Sequence, residues 1–382
     1  MMPTHPPNVG NRARILQLCA ALKSLGHDLH FAYVRREAGD MRAMEEFHGK
    51  DRLHVAHYTP TGREAGVGQR LKRRVLAAFS VDAAFTHRVD DWYDPELDGF
   101  FEQMNATHAF DAVIVEYVFL SRALQFFRSG TVKVIDTHDV FTNRHHVSLA
   151  AGLWPGWFST TLAEELRGLR RADVVFTIQD RERDFFAARL RSQEVVTVGH
   201  LLRTGAPIVD WNDRIARSLL FVGTDNVLNA AAVRYFLERV LPIVRASIPD
   251  VRLRLAGSVA DAVDAADGVD KIGVVDDLER EYANAWVALN PCQAGTGLAI
   301  KSIEALGYAL PLVTTTTGAR GLEAFGRDAF VEVPDHDPQR MAEAIVELML
   351  SEERRARISA AAAEFSSRWN AGALAVLKNT FG

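Results

Sequence analysis

A glycine-rich turn followed by a basic and an acidic residue carries the clearest chemical signal in the sequence. Behind the predicted strand end at Asn290 come Gly295, Thr296, Gly297 and Leu298, and then Lys301 and Glu304 on a predicted helix. Glycines let a backbone approach a ligand closely, and a helix start favours phosphate through its free N–H groups and its dipole. Lys301 can neutralise a diphosphate, and Glu304, three residues on, can accept both hydroxyls of a ribose. The alternative is a solvated Lys–Glu pair on a helix surface.

Three weaker candidates lie at other predicted strand-to-helix junctions, where open parallel sheets bind their ligands. Gly223 closes a strand ahead of a helix starting at Asn229, and is either a diphosphate contact or only a tight turn. His138 follows a buried strand between two acidic residues, and is either structural or directed at a ligand. Gly10 and Asn11 form a glycine-containing loop before a helix.

Two charged segments and the two cysteines are further candidates for membrane, metal or disulfide sites. The stretch from Arg63 to Phe79 fits either a solvated surface helix or a basic amphipathic helix at a membrane surface. Asp335-His336-Asp337 matches a metal–diphosphate pattern, but it lies outside any nucleotide-binding context, so we interpret it as a loop and expect no bound metal. Two distant cysteines and the histidine spacings predict neither a disulfide framework nor a zinc site.

Length and composition set the broad class. A chain of 382 residues with 48% hydrophobic content suits two domains better than one. The net charge of −5 gives no sign of nucleic-acid binding. Neither a bilayer-spanning apolar run nor a signal peptide is recognisable, so we expect a cytoplasmic protein. If residues 63–79 contact a membrane, we expect the protein to lie peripherally at its inner face.

The elements that must position these residues alternate along the chain. Short runs rich in Val, Ile and Leu, such as 132–136, 218–223 and 286–290, alternate with helical stretches, which predicts parallel sheets covered on both faces. The irregular stretch 199–218 is the expected interdomain linker. Only Met1–Thr4 could form a strand ahead of the loop that contains Gly10. A doubly wound domain needs a central first strand there, so we expect the natural protein to start upstream of Met1.

Taken in order, these segments resemble glycosyltransferase family 4, the retaining GT-B enzymes. The resemblance rests on Phe221-Val222-Gly223 with Asn229, on 273–278, on the turn and helix from Gly295 to Leu306, and on 311–322. It implies an α/β GT-B fold of two Rossmann-like domains whose parallel sheets face a central cleft. Residues 1–200 would form the acceptor-binding domain and 201–365 the nucleotide-sugar-binding domain. Residues 366–382 would form a C-terminal helix that crosses back to the first domain.

The resemblance also implies a function. A sugar would pass, with retention, from a nucleotide-diphosphate sugar to a hydroxyl of a glycan or lipid-linked acceptor. The sugar nucleotide would be a co-substrate, and no cofactor or metal is expected. In the family, the residue matching Glu304 holds the ribose, and the glycine turn with the match to Lys301 holds the diphosphate. The match to His138 contacts the donor sugar, and the loop matching Gly10 and Asn11 closes over the diphosphate.

Two positions depart from the family pattern and keep two other functions open. The motif Glu, seven residues, Glu has Thr296 at its first position, where the family's glutamate commonly contacts sugar hydroxyls. Thr224 stands where an arginine often follows the Phe221-Val222-Gly223 strand, so Lys301 would carry more of the phosphate charge. A nucleotide-sugar epimerase and a non-catalytic GT-B partner subunit are the alternatives.

Overall fold

The computed structural model describes residues 2–56, 80–202, 210–275, 278–295, 297–322 and 327–382. Contacts between Cα atoms divide them into two units. Unit one contains residues 1–5, 25–199 and 376–382, and unit two contains residues 6–24 and 200–375. The predicted boundary at residue 200 therefore coincides with a junction between the units. Residues 6–24 and the last seven residues group with the opposite unit from their sequence neighbours.

Strands and helices alternate along both units. The strands are β1 Phe31–Val34, β2 Leu53–Ala56, β3 Ala112–Glu116, β4 Val132–Asp136, β5 Val174–Thr177, β6 Glu194–Thr197, β7 Ser218–Val222, β8 Arg252–Ala256, β9 Val269–Gly273, β10 Val287–Asn290, β11 Leu312–Thr315 and β12 Val331–Val333. The helices are α1 Gly10–Ser24, α2 Met41–His48, α3 Val81–Phe85, α4 Asp98–Thr107, α5 His145–Ala150, α6 Leu162–Leu169, α7 Asp180–Ala187, α8 Val227–Tyr235, α9 Leu241–Ser247, α10 Leu278–Asn284, α11 Ile300–Gly307, α12 Pro338–Leu350 and α13 Glu352–Phe381.

Unit two is built on one six-stranded sheet of order β12-β11-β10-β7-β8-β9, and every pairing in it is parallel. Strands β10 and β11 are buried along their whole length, as expected for a parallel sheet covered on both faces. Leu219, Leu253 and Val287 of the sheet pack with Val244 of α9 and Ile345 of α12 in one apolar core. Since the strands run in parallel, the ends of β7 and β10 meet at the same edge.

Unit one contains two separately hydrogen-bonded parallel sheets, β1-β2 and β3-β4-β5-β6. Residues 2–9 form no strand, and Thr4 is fully buried with its hydroxyl 3.1 Å from Nε2 of His48. The expected upstream start stays a prediction. The α/β fold with parallel sheets is confirmed in both units.

Three details differ from the sequence-based expectation for reasons of local chemistry. Strand β9 escaped prediction because it is an edge strand with Asp270 and Lys271 in its sequence. The helix expected to start at Asn229 begins at Val227 and gives way to a π-helical turn, Phe236–Val240, just before Pro242, which has no N–H to continue the ladder. The C-terminal helix expected over 366–382 belongs to a longer helix of 30 residues, α13.

The membrane-surface interpretation of residues 63–79 lies outside the described residues. Among the residues that are described, no helix is both long and apolar enough to span a bilayer.

A buried carboxylate holds the loop that follows β4. Glu165 of α6 is fully buried and accepts hydrogen bonds from the backbone N–H of Phe141, at 2.8 Å, and from the hydroxyl of Thr142. Burial is the main cause that raises the pKa of Glu165 from 4.5 to about 7, and these hydrogen bonds oppose the rise. The loop carrying His138 is thereby anchored to a group that titrates near neutrality.

We predict that Glu165 makes the protein less stable as the pH rises. Because its pKa is raised in the folded state, that state binds the extra proton, and the free energy of unfolding falls between about pH 4.5 and 7 by about 3 kcal/mol from this group. Glu165→Gln should flatten this dependence in urea unfolding measured at several pH values. Glu164→Gln is the matched control, because the pKa of Glu164 is lowered, mainly by Arg167, and its contribution has the opposite sign. An equal pH slope in wild type and Glu165→Gln would contradict the assignment.

Candidate functional site

The loop after β10 and the start of α11 bring the predicted glycine turn to the edge of the sheet in unit two. Gly297 has a positive φ of 68°, a conformation that favours glycine. A Cβ on Gly295 would lie 2.7 Å from a guanidinium nitrogen of Arg320, so a larger residue there would have to displace the end of that arginine. Ala299, before the helix, makes no side-chain cap, which leaves the helix start available to a ligand.

A buried polar network fixes this loop to the neighbouring strand. The side-chain amide of Asn290 donates to the hydroxyl of Ser302 at 2.8 Å and to the carbonyl of Gly318 at 3.2 Å. Thr315, at the end of β11, donates its hydroxyl to the carbonyl of Cys292. Asn290, Ser302 and Thr315 are all buried, so these bonds form in a medium where an unmade one is costly. The loop therefore has a defined path before any ligand binds.

Lys301 connects the ends of β7 and β10. Its ammonium donates to Oδ1 of Asn229 at 2.5 Å and lies 4.2 Å above the ring centre of Phe221. Burial is the largest cause that lowers the pKa of Lys301, and nearby Arg320 lowers it further. Cys292, with Sγ 3.8 Å from the ammonium, and Glu304 act in the opposite direction. A partly desolvated cation of this kind interacts strongly with an incoming anion.

Glu304 is hydrogen-bonded through one oxygen, has an imidazole near the other, and remains partly exposed. The hydroxyl of Tyr282 donates to Oε2 at 3.1 Å, and Nε2 of His200 lies 3.6 Å from Oε1. Burial and the carboxylate raise the pKa of Tyr282 well above its ordinary value, which keeps that phenol a donor. Tyr308 stacks on Tyr282 at 4.8 Å and fixes its ring. The carboxylate of Glu304 is thus positioned before it meets a ligand.

Close backbone contact defines the turn after β7. Gly257 has a positive φ of 91°, and a Cβ there would lie 2.2 Å from the carbonyl oxygen of Gly223. A Cβ on Gly223 would in turn meet the ring of Phe221 at 2.9 Å and the amide of Asn229 at 3.0 Å. That amide also donates to the carbonyl of Thr224 at 3.0 Å. Two glycines are therefore required here for packing, whether or not the turn contacts a diphosphate.

The N-terminal loop lies against the start of α11 in unit two. Helix α1 begins at Gly10, and a Cβ on that residue would be 3.0 Å from the side chain of Ile300. Asn11 accepts the backbone N–H of Arg12 through Oδ1 at 2.9 Å. Gly10 is therefore a neighbour of the helix that carries Lys301, and the predicted diphosphate role of Gly10 and Asn11 stays a prediction.

His138 lies in unit one, two residues after the end of β4. Its backbone has a positive φ of 61°, and its ring stacks on Tyr117 at 4.1 Å. Nε2 is 2.5 Å from a carboxylate oxygen of Glu116 and 3.6 Å from one of Asp136. The side chain of His138 is only 5% exposed. His138 is thus bound by neighbours within its own unit, and its contact with a donor sugar stays a prediction.

Sequence reasoning assigned no role to Arg320, although the Gly318-Ala319-Arg320-Gly321 pattern was recognised. Its guanidinium donates to the carbonyl of Gly297 at 3.2 Å and so lies against the glycine turn. Arg320 is therefore a second cation beside the glycine turn, close enough to Lys301 to lower the pKa of that lysine. Thr296 lies outside the described residues.

The Asp335-His336-Asp337 segment has structural functions. Asp335 accepts the backbone N–H and the hydroxyl of Thr317 at 2.9 and 2.7 Å. Asp337 caps α12 by accepting the N–H of Arg340 at 2.9 Å. Both carboxylates therefore already serve the fold, which agrees with the interpretation of this segment as a loop.

Residues 216–351, within unit two, match the family model described as glycosyl transferases group 1. No curated protein matches the chain by sequence. Solved structures match it by fold. Sucrose-phosphate synthase from Thermosynechococcus elongatus is 12% identical with a TM-score of 0.63, and the match covers 96% of this chain and 92% of that one. HepE from Anabaena, in complex with UDP, is 13% identical with a TM-score of 0.61, covering 95% and 96%.

A TarM variant from S. aureus, in complex with UDP, alpha-GlcNAc-glycerol and fondaparinux, is 11% identical with a TM-score of 0.57. The match covers 75% of this chain, which spans 58% of the TarM chain. At these identities the structures establish the fold. The family-model match concerns residues 216–351 of this fold and indicates a similarity of that segment to glycosyl transferases group 1.

We predict that Asn229→Ala destabilises unit two by about 1–3 kcal/mol, because it leaves the partly buried ammonium of Lys301 without its acceptor. The matched variant Asn229→Asp retains an acceptor for Lys301 but loses the donor to Thr224. Asn229→Asp should therefore lose less free energy of unfolding than Asn229→Ala, and the difference measures the bond to Lys301. Urea unfolding of the three proteins measures both contributions. An Asn229→Ala protein within a few tenths of a kcal/mol of wild type would refute the role of this bond.

Proposed function

We propose that the chain is a retaining, family 4-like glycosyltransferase that moves a sugar from a nucleotide-diphosphate sugar to a hydroxyl of a glycan or lipid-linked acceptor. The observation that carries the proposal is the arrangement around α11. Lys301 and Arg320 flank a glycine turn at an uncapped helix start, and Glu304 lies one turn further along the same helix. Two cations and a helix start suit a diphosphate, and a fixed carboxylate suits a ribose.

UDP is the first nucleotide to test. The HepE and TarM structures both contain UDP, and the TarM structure also contains alpha-GlcNAc-glycerol. We propose that unit two binds the corresponding part of the donor, with the diphosphate at Gly295–Gly297 and Lys301 and the ribose at Glu304. Gly10, Asn11, Gly223, Asn229 and Leu298 complete the proposed donor-binding set.

The proposed reaction breaks the bond between the sugar C1 and the diphosphate oxygen, and the acceptor hydroxyl attacks from the same face. The proton of the acceptor hydroxyl passes to the departing diphosphate, and the nucleoside diphosphate is the second product. Negative charge grows on the diphosphate as the bond breaks, so groups fixed beside it stabilise the transition state most. Lys301, Arg320 and the helix start can supply this stabilisation without a metal ion, and no cofactor takes part in the proposed reaction.

A single assay separates this proposal from its alternatives. Sugar nucleotides are incubated with the chain, with and without candidate acceptors, and both the nucleoside diphosphate and the sugar product are followed. Acceptor-dependent release supports the transferase. Isomerisation or hydrolysis without an acceptor would indicate an epimerase. Saturable binding without turnover under any condition would indicate a partner subunit.

The first prediction concerns the ribose. Glu304→Ala should weaken UDP binding by about 1–3 kcal/mol in isothermal titration, because the hydroxyls lose their acceptor. The same substitution should leave the binding of 2′,3′-dideoxy-UDP nearly unchanged, because that ligand has no hydroxyls to lose. Tyr282→Phe, which removes only the phenol that orients Glu304, should give a smaller loss. Equal losses for both ligands would show that Glu304 does not bind the ribose.

The second prediction concerns the leaving group. Lys301→Met should lower kcat by roughly 100-fold and change the affinity for intact donor far less, since the lysine matters most in the transition state. Lys271→Met, at an exposed position in the same unit, is the control and should leave both constants unaltered. The wild-type rate should also survive EDTA. A raised KM with unchanged kcat, or activity abolished by EDTA and restored by Mg²⁺ or Mn²⁺, would contradict the proposal.

A further inference from the structure

Three imidazoles converge in unit one near the amino-terminal starts of its strands. His30 directly precedes β1, His54 is the second residue of β2, and His108 lies between α4 and β3. One ring nitrogen from each can be chosen so that all three lie within 4.8 Å of one another. All three side chains are half-buried, so the cluster is accessible to solvent.

The pairing of β1 with β2 explains why two of these rings meet. Ala32 lies opposite His54 in the parallel register. His30 is two residues before Ala32, and side chains two residues apart along a strand point to the same face. Nδ1 of His30 is accordingly 2.8 Å from Nε2 of His54. The ring of His108 completes the group, with its centre 4.6 Å from that of His30 and 5.2 Å from that of His54.

The surroundings favour the neutral form of His30 and His54. Burial, the largest cause, lowers the pKa of His30 and of His54, and the neighbouring imidazoles lower it further. Asp28 raises the pKa of His30, but its carboxylate is hydrogen-bonded to Arg52, which acts in the opposite direction. Neutral imidazole is the form that binds a metal ion.

Two other groups of potential ligands in the described part of the chain combine imidazoles with carboxylates. In one, both histidines are already hydrogen-bonded to the carboxylate of Asp82. In the other, His138 is bonded to Glu116 beside Asp136. Among these groups, only His30, His54 and His108 offer imidazoles alone, and three imidazoles are a donor set that suits zinc.

We propose that His30, His54 and His108 bind one Zn²⁺ ion through three imidazole nitrogens, with water in the fourth position. Zinc–nitrogen bonds of about 2.0–2.1 Å in a tetrahedron place the nitrogens about 3.3–3.4 Å apart. In the structure one pair is 2.8 Å apart and all three nitrogens lie within 4.8 Å of one another, so small side-chain shifts would bring them to this spacing. The ion joins β1 and β2 to the chain entering β3. It thereby links the two sheets of unit one, which share no strand pairing among the described residues. The role is structural and separate from the donor site of unit two.

Zinc binding to the full chain, produced without a histidine tag and stripped by chelator dialysis, tests the proposal directly. Titration with ZnCl₂ in a calorimeter should show one saturable site per chain, and the melting temperature should rise, because the ion binds the folded state. Co²⁺ should give the visible absorption of a four-coordinate site. Absence of saturable binding by the stripped wild-type chain would overturn the proposal, whatever the variants do.

Single variants then locate the site. His54→Gln and His108→Gln should each weaken Zn²⁺ affinity by at least about tenfold, and each should abolish the rise in melting temperature. His146→Gln, which alters the group at Asp82, is the matched control and should bind like wild type. Circular dichroism verifies folding, and His108→Gln alters no strand residue. Binding that persists in both ligand variants, or is lost equally in the control, would refute the assignment. None of these readouts depends on sugar transfer.

Discussion

The contact between Lys301 and Asn229 organises the candidate site of unit two. It joins a helix that follows β10 to one that follows β7, and these two strands are neighbours in the sheet. The ammonium also lies over Phe221 of β7, so a charged group is stabilised by an amide oxygen and an aromatic face together. In the proposed donor site, the turn at Gly223 can remain free of side chains, because Lys301 on the helix after the adjacent strand β10 supplies the cation.

The sequence predicted the parts of this arrangement that depend on local pattern. Glycines before a helix, a lysine in its first turn and a glutamate three residues later are readable without a structure. The bonds of Asn290 to Ser302 and Gly318 were not readable, because they join residues 12 and 28 positions apart. Arg320 was missed for the same reason: its motif was recognised, but its contact with Gly297 depends on how the loops after β10 and β11 pack.

The fold was predicted best where strands are buried on both faces and poorly where they are not. Strand β10 matches the predicted run 286–290 to within one residue, because a short apolar run is stable in the interior of a parallel sheet, where all four of its residues are buried. Strand β9 lies at an edge, where Asp270 pairs with Arg252 of β8, and its charges hid it. The histidine cluster was invisible for a third reason. Its members come from three separate segments, and only strand register brings His30 beside His54.

Histidines in the two units illustrate how burial and partners decide what an ionisable side chain can do. His138 and His200 both lie beside carboxylates, Glu116 and Glu304, but with different consequences. His138 is almost enclosed and its Nε2 is bonded, so it must exchange Glu116 for a ligand before it can contact one. His200 is buried behind Glu304, which keeps an exposed edge, so the histidine can orient the carboxylate without meeting the ligand. The proposed donor-binding chemistry of unit two therefore needs no rearrangement of its ionised groups, whereas any contribution from Nε2 of His138 requires one.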